Sequence, residues 1–138
     1  YPLAADRDRH AAWMRVAMDA NALMMPVEAD LRVFEELDRL LGEYTPVVPT
    51  VVLEELETLA ESGGEAGRAA QVGLDLAERC EAIPSPEPYA DDAVLSLSES
   101  GAVDAVVTND APLRERLLSA GVQVIHLRGR NQLTRTQP

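Results

Sequence analysis

Along the chain, short apolar runs alternate with longer stretches in which apolar residues recur every three or four positions, a pattern that predicts strands separated by helices. Arg15-Val-Ala-Met reads as a buried strand, and Asp19 with Asn21 places polar oxygens at its carboxyl end. The same two residues would also serve simply to open a turn. Leu31, Phe34, Leu37, Leu40 and Leu41 fall at helical spacing with Gly42 as a stop, so a helix is expected over about residues 30–41. Val47-Val48 between Pro46 and Pro49 predicts a short second strand, and Thr50 is placed to cap a helix that runs to Gly63-Gly64. A helix over about 65–80, a third strand at Ala82-Ile83 and a loop marked by Pro84, Pro86 and Pro88 follow. Asp91 or Asp92 opens the next helix, which ends before Gly101. Asp104 to Thr108 gives a strand, Pro112 to Ala120 a helix closed by Gly121, and Val122 to Leu127 a final strand. Alternation of this kind implies an α/β fold with a parallel sheet covered on both faces. Residues 1–13 show no period before Trp13 and are expected as a leader or extension, 14–130 as one domain and 131–138 as a C-terminal tail.

Four acidic positions sit where these elements deliver them to one edge of the sheet. Asp19 ends the first strand, and Asp110 follows Val106-Val-Thr-Asn after the fourth, where it is also placed to cap the helix at Pro112. In the helix after Thr50, Val52, Leu53, Leu56, Leu59 and Ala60 form a stripe centred near Leu56. At about 100° per residue, Glu54 lies roughly 160° from that centre and faces water, while Glu55 and Glu57 flank it at about 100° on opposite sides. Glu55 is nearer the helix start and is the better candidate. The same phase test places Asp91 roughly 60° from the stripe of Ala90, Val94, Leu95 and Leu97, and Asp92 roughly 160° away. Asp91 therefore points inward, as helix cap, as ligand, or as both. Carboxylates gathered without a basic partner repel one another unless protonated or bridged by cations, and hard oxygens suit Mg²⁺ or Mn²⁺. An ion held in this way supports phosphodiester hydrolysis.

Charge sharpens the picture. The 24 acidic and 12 basic residues give a net charge of −12, and every basic residue is arginine. An acidic chain without lysine suggests work in concentrated salt, a halophilic setting, or a genome-wide exchange of Lys for Arg. Residues 111–138 run the other way, with Arg114, Arg116, Arg128, Arg130 and Arg135 against Glu115 alone. A basic end on an acidic body fits a polyanion partner, although solvated arginines are commoner. One cysteine, Cys80, excludes an internal disulfide and a zinc ribbon and fits a reducing cytoplasm. No apolar run approaches the roughly 18 residues of a membrane span, and no secretory leader is visible.

The blocks Val16-Ala-Met-Asp19-Ala-Asn21, Val51-Val-Leu-Glu-Glu55-Leu, Ala90-Asp91-Asp-Ala-Val-Leu and Val107-Thr108-Asn109-Asp110 arrive in an order that resembles the PIN-domain family of metal-dependent ribonucleases. The resemblance covers about Arg15 to Arg128. Its paired Asp91-Asp92 and its ending Gly121-Val-Gln-Val-Ile-His are similar to archaeal and eukaryotic rRNA-processing members, and toxins of toxin–antitoxin pairs share the acids. The resemblance implies a three-layer α/β/α fold with a five-stranded parallel sheet, often in a homodimer, and a Mg²⁺ or Mn²⁺ site that cuts single-stranded RNA. It implies Asp19, Glu55, Asp91 and Asp110 as metal ligands and catalytic acids, with Asn21, Asp92, Thr108 and Asn109 in support. An antitoxin or a pre-ribosome would be the partner. An aspartyl-phosphate enzyme would also place Asp after the first strand, but such enzymes need a lysine that this chain lacks. A non-catalytic RNA-binding or ribosome-assembly factor is the alternative. Five aromatic residues leave little for base stacking, so RNA contacts are expected from Arg114, Arg128 and Arg130 to the phosphate backbone.

Overall fold

The computed structural model describes residues 13–85 and 87–138, so the expected leader lies almost wholly outside the described residues. The strands are β1 Met14–Met18, β2 Tyr44–Pro49, β3 Glu81–Ile83, β4 Ala105–Val107, β5 Gln123–Arg128 and β6 Gln132–Thr136. The helices are α1 Ala20–Glu28, α2 Val33–Leu41, α3 Thr50–Ala60, α4 Gly64–Ala77, α5 Ala90–Glu99 and α6 Ala111–Ser119.

All strands form one sheet in the order β3-β2-β1-β4-β5-β6, and the first five in chain order are mutually parallel. The expected three layers are present. Val16, Met18, Val48, Val107 and Ile125 face a core closed by α1 to α4, and Ala17, Val47, Val106 and Val124 face a smaller core with Val94 and Leu97 of α5 and Leu113 and Leu117 of α6. Helices cover both faces, as parallel strands burying both sides require.

The sheet has six strands where five were expected. The sixth comes from the segment read as a tail, and it runs antiparallel to β5 after the turn at Gly129, whose φ is 69°. Only Leu133 of β6 is a buried apolar residue, which leaves no alternating pattern for a sequence reading to detect. Its outer edge is partly covered by α2: Leu133 N donates to Glu36 Oε1 at 2.9 Å, and Arg39 Nη2 donates to the Leu133 carbonyl at 3.0 Å. These side chains satisfy backbone groups that a bare edge strand would leave open.

A second departure is α1, which the hydrophobic pattern does not predict. Ala22, Leu23, Met24 and Met25 are all buried, so the helix has no polar face from which to read a period, and it also contains Pro26. Tertiary packing holds it. α4 approaches so closely that a Cβ added at Gly73 would stand 3.3 Å from the Leu23 carbonyl oxygen. The following helix, α2, starts at Val33, three residues later than the pattern suggested. Asp30 between them takes φ 50°, a left-handed conformation that Asp tolerates better than most residues.

Candidate active site

Parallel strands with this order change direction at one point, where β1 lies beside β4 while the chain moves outward to β2 on one side and to β5 on the other. Ligands in open α/β sheets gather beyond the carboxyl ends of the strands at that switch point. Asp19 follows β1 and Asp110 follows β4, so the sheet order brings them together although 90 residues separate them. α3 leaves β2 at the same edge and carries Glu55, and α5 starts after the loop that leaves β3 and carries Asp91. A cleft of 630 Å³ results, lined by Asp19, Glu55, Asp91 and Asp110 together with Asn21, Glu28 and Glu54. Among the described residues no arginine lines it.

Asp19 is the most constrained of the four, with 5% of its surface exposed. Its Oδ1 caps α1 by accepting from Ala20 N at 2.9 Å. Its Oδ2 accepts from Asn21 Nδ2 at 2.9 Å and from the Thr108 hydroxyl at 2.8 Å. The buried Thr108 hydroxyl in turn accepts from Asp110 N at 3.1 Å and from Asn21 Nδ2 at 3.2 Å. Asn21 Oδ1 accepts from Asn109 N at 2.9 Å, and Asn109 Oδ1 accepts from Leu127 N of β5 at 2.8 Å. Asn21, Thr108 and Asn109, three of the four residues named in support, thus form one network that ties β1, β4 and β5 to a single carboxylate. Among the described residues no buried side-chain polar atom in it or elsewhere lacks a partner.

Asp110 does cap a helix: its Oδ1 accepts from Leu113 N at 3.0 Å at the start of α6. The capping bond engages one oxygen, so Asp110 remains able to act as a ligand through the other. Asp91 is not a cap. Tyr89 holds that position without a side-chain bond, and Asp91 sits within the first turn of α5. Thr50 likewise does not cap α3. Ser85 takes its place, its hydroxyl accepting from Val51 N at 3.2 Å while Thr50 Oγ1 accepts from Ser85 N at 3.3 Å. Asp92 points away from the cleft as its phase required, and its Oδ1 accepts from Arg116 Nη2 at 3.0 Å. Glu54 is exposed, as expected, but Glu55 is exposed as well, and both line the cleft. Arg114, Arg128 and Arg130 lie outside the cleft lining. Arg130 borders a neighbouring hollow that shares Glu28 with the cleft. Glu28 and Tyr89 were not singled out by pattern, since neither completes a motif or a periodic stripe.

Electrostatics single out Asp19, Glu55 and Asp91. Burial raises the Asp19 carboxyl above its ordinary value against the pull of its hydrogen bonds, and Asp91 and Asp110 add repulsion. Glu55 is raised by partial burial and by the charges of Asp19 and Asp91. Asp91 is raised by burial and by Asp110, with Arg116 opposing. Among the described residues no group of three or more His, Cys, Asp or Glu is close enough to hold a metal ion. The donor set nevertheless fits a divalent cation in kind: all four acids offer hard oxygens, and three of them are raised by other carboxylates of the same cleft.

A carboxyl raised in the folded state binds more protons folded than unfolded. Its contribution to stability is therefore greatest below the ordinary carboxylate range and is lost as pH rises through the raised value. Glu36 acts in the opposite sense, because its bonds with Arg39 and Leu133 lower it. A comparison of two proteins isolates the cleft. In chelator, the melting temperature of Glu55→Gln minus that of the parent is expected to be near zero in acid and to grow more positive as pH rises toward neutrality. A difference that shrinks over that range would contradict the repulsion.

A doubly covered parallel sheet with an acidic cleft at its switch point defines an α/β domain of the carboxylate-centred kind. The chain belongs to the PIN-like domain family, whose model matches residues 16–130. It is similar to Ribonuclease VapC4 of Methanocaldococcus jannaschii, with 25% identity over 118 residues that cover 83% of this chain and 90% of the relative. The solved PIN domain endonuclease Utp24 superposes with a TM-score of 0.73 at 23% identity, covering 90% of this chain and 92% of that one. VapBC2 from Rickettsia felis, solved with a DNA fragment from its promoter, superposes with a TM-score of 0.61 at 16% identity over 82% of this chain and 98% of that one. At those identities the structural likenesses speak for the fold.

Proposed function

We propose that the chain is a Mg²⁺- or Mn²⁺-dependent endoribonuclease that cleaves phosphodiester bonds in single-stranded RNA. The observation that carries this reading is the convergence of Asp19, Glu55, Asp91 and Asp110 on one cleft that no arginine among the described residues lines. Membership of the PIN-like family and the name of the curated relative support it.

Asp19, Glu55, Asp91 and Asp110 would hold the cation. When bound, such an ion polarises a phosphoryl oxygen, lowers the pKa of water and stabilises the leaving oxygen. The chain's own contribution is position and charge. Asn21 and Thr108 fix the Asp19 carboxylate, so its orientation costs nothing at the moment of reaction.

Arg114, Arg128 and Arg130 belong to the helix and hairpin that follow Asp110, where they would hold flanking phosphates. They offset an acidic body that repels RNA at low salt. In a chain adapted to salt, activity is expected to rise, or stay flat, as monovalent salt increases, because screening weakens that repulsion.

The test incubates labelled single-stranded and duplex RNA with the chain in Mg²⁺, in Mn²⁺ and in chelator, across a salt series. Internal cleavage of the single strand with either metal and none in chelator supports the reading. Metal-independent cleavage, or binding without cleavage, would favour the RNA-binding alternative or an unrelated activity. Both rRNA maturation and a toxin role fit this chemistry. A small basic, amphipathic protein encoded immediately upstream would favour the toxin and its antitoxin over a pre-ribosomal partner.

A further inference from the structure

The cleft holds a feature that the acids do not explain. Tyr89, two residues before Asp91, lines the cleft with 71% of its surface exposed, and it is the only large hydrophobic side chain among the described residues left so exposed. Its segment is tied down at both ends. Ser85 is hydrogen-bonded to the first turn of α3, and the Tyr89 carbonyl accepts from Ala93 N at 2.9 Å at the start of α5. Pro88 restricts the backbone between these anchors. The ring is thus held in water by the two helices that carry Glu55 and Asp91, at the mouth of a cleft whose wall also includes Val51, Leu59 and Met24.

We propose that Tyr89, with these apolar residues, forms a subsite for one unpaired nucleobase adjacent to the phosphate addressed by the carboxylates. This deepens the nuclease reading of the same cleft and rests on it. The cleft's 630 Å³ falls within the roughly 300–1,000 Å³ usual for small-molecule sites, more than a phosphate group alone needs. An aromatic face accepts any base by stacking, so the subsite gives affinity with little sequence preference. A base inside a duplex is already stacked and paired, whereas an unpaired base can be splayed onto a protein ring. Tyr89 therefore supplies a physical reason for single-strand selectivity that four carboxylates do not.

The experiment measures equilibrium binding of a fluorescent single-stranded oligoribonucleotide in Ca²⁺, under conditions in which a gel shows it intact, and repeats it with one abasic position moved along the strand. Parent, Tyr89→Phe, Tyr89→Leu and Tyr89→Ala are compared, with melting curves as the check on folding. Tyr89→Phe should bind as the parent does, while Tyr89→Ala and Tyr89→Leu should each lose about tenfold. At one position the abasic substitution should cost the parent that same factor and cost Tyr89→Ala nothing further. Parent-like affinity in Tyr89→Ala, or an abasic penalty undiminished in that variant, would overturn the subsite. Cleavage by the parent is scored separately in Mn²⁺. Coupling without cleavage defeats only the nuclease reading, and cleavage without coupling defeats only the subsite.

Discussion

Asp19→Asn is expected to lower cleavage of single-stranded RNA by at least about a thousandfold, roughly 4 kcal/mol of barrier, while leaving the chain folded. The size follows from the bonds around one oxygen. Asp19 Oδ2 accepts from Asn21 Nδ2 and from the Thr108 hydroxyl, and the neighbouring Oδ1 accepts from Ala20 N. An asparagine that keeps the Ala20 bond presents its own N–H₂ toward the Asn21 amide. The Thr108 hydroxyl, which already accepts from Asp110 N and Asn21, then loses the acceptor for its hydrogen. Leaving a buried donor unpaired costs about 1–3 kcal/mol, whereas removing a buried charge from among like charges is favourable, so the net change in stability is small. The catalytic change is not, because both a ligand charge and the orientation of Asn21 and Asn109 are lost. Single-turnover rates at saturating metal, read beside melting curves, check this. Activity within tenfold of the parent would remove Asp19 from the site.

Glu55→Gln is expected to lose at least about tenfold in rate, roughly 1.4 kcal/mol, and Glu54→Gln to stay within a few-fold. Both side chains line the cleft, and burial together with the charges of Asp19 and Asp91 raises the Glu55 carboxyl. The two variants remove the same charge from adjacent positions of one helix, so a general electrostatic effect on RNA binding would lower both alike. The reverse ranking would show that the helix phase that favours Glu55 is wrong.

The acids were legible in the sequence because each lies one short step beyond a strand or within the first turns of a helix with a clear apolar stripe. The phase of Val94 and its neighbours separates Asp91, which lines the cleft, from Asp92, which does not, whereas the phase of Leu56 does not part Glu55 from Glu54, since both are exposed and both line the cleft. Two kinds of information were not legible. A run of consecutive buried residues such as Ala22, Leu23, Met24 and Met25 shows no polar face, so α1 has no readable period even though Asp19 caps it. Elements stabilised by distant side chains carry no local signal either. β6 depends on Glu36 and Arg39 of α2, and the start of α3 depends on Ser85 rather than on its own Thr50. Tyr89 is a third case, since a single exposed ring has meaning only once the cleft beside it is formed.

The central claim is that four carboxylates from distant parts of the chain act together on one divalent ion. Its most direct test is a titration of Mn²⁺ into metal-stripped protein, with free ion followed by electron paramagnetic resonance, for the parent and for Asp19→Asn, Glu55→Gln, Asp91→Asn and Asp110→Asn. The account predicts saturable binding by the parent and at least about a tenfold loss of affinity in each variant, with Glu54→Gln binding as the parent does. Binding that no single substitution weakens, or no saturable binding by the folded parent in moderate salt, would contradict it.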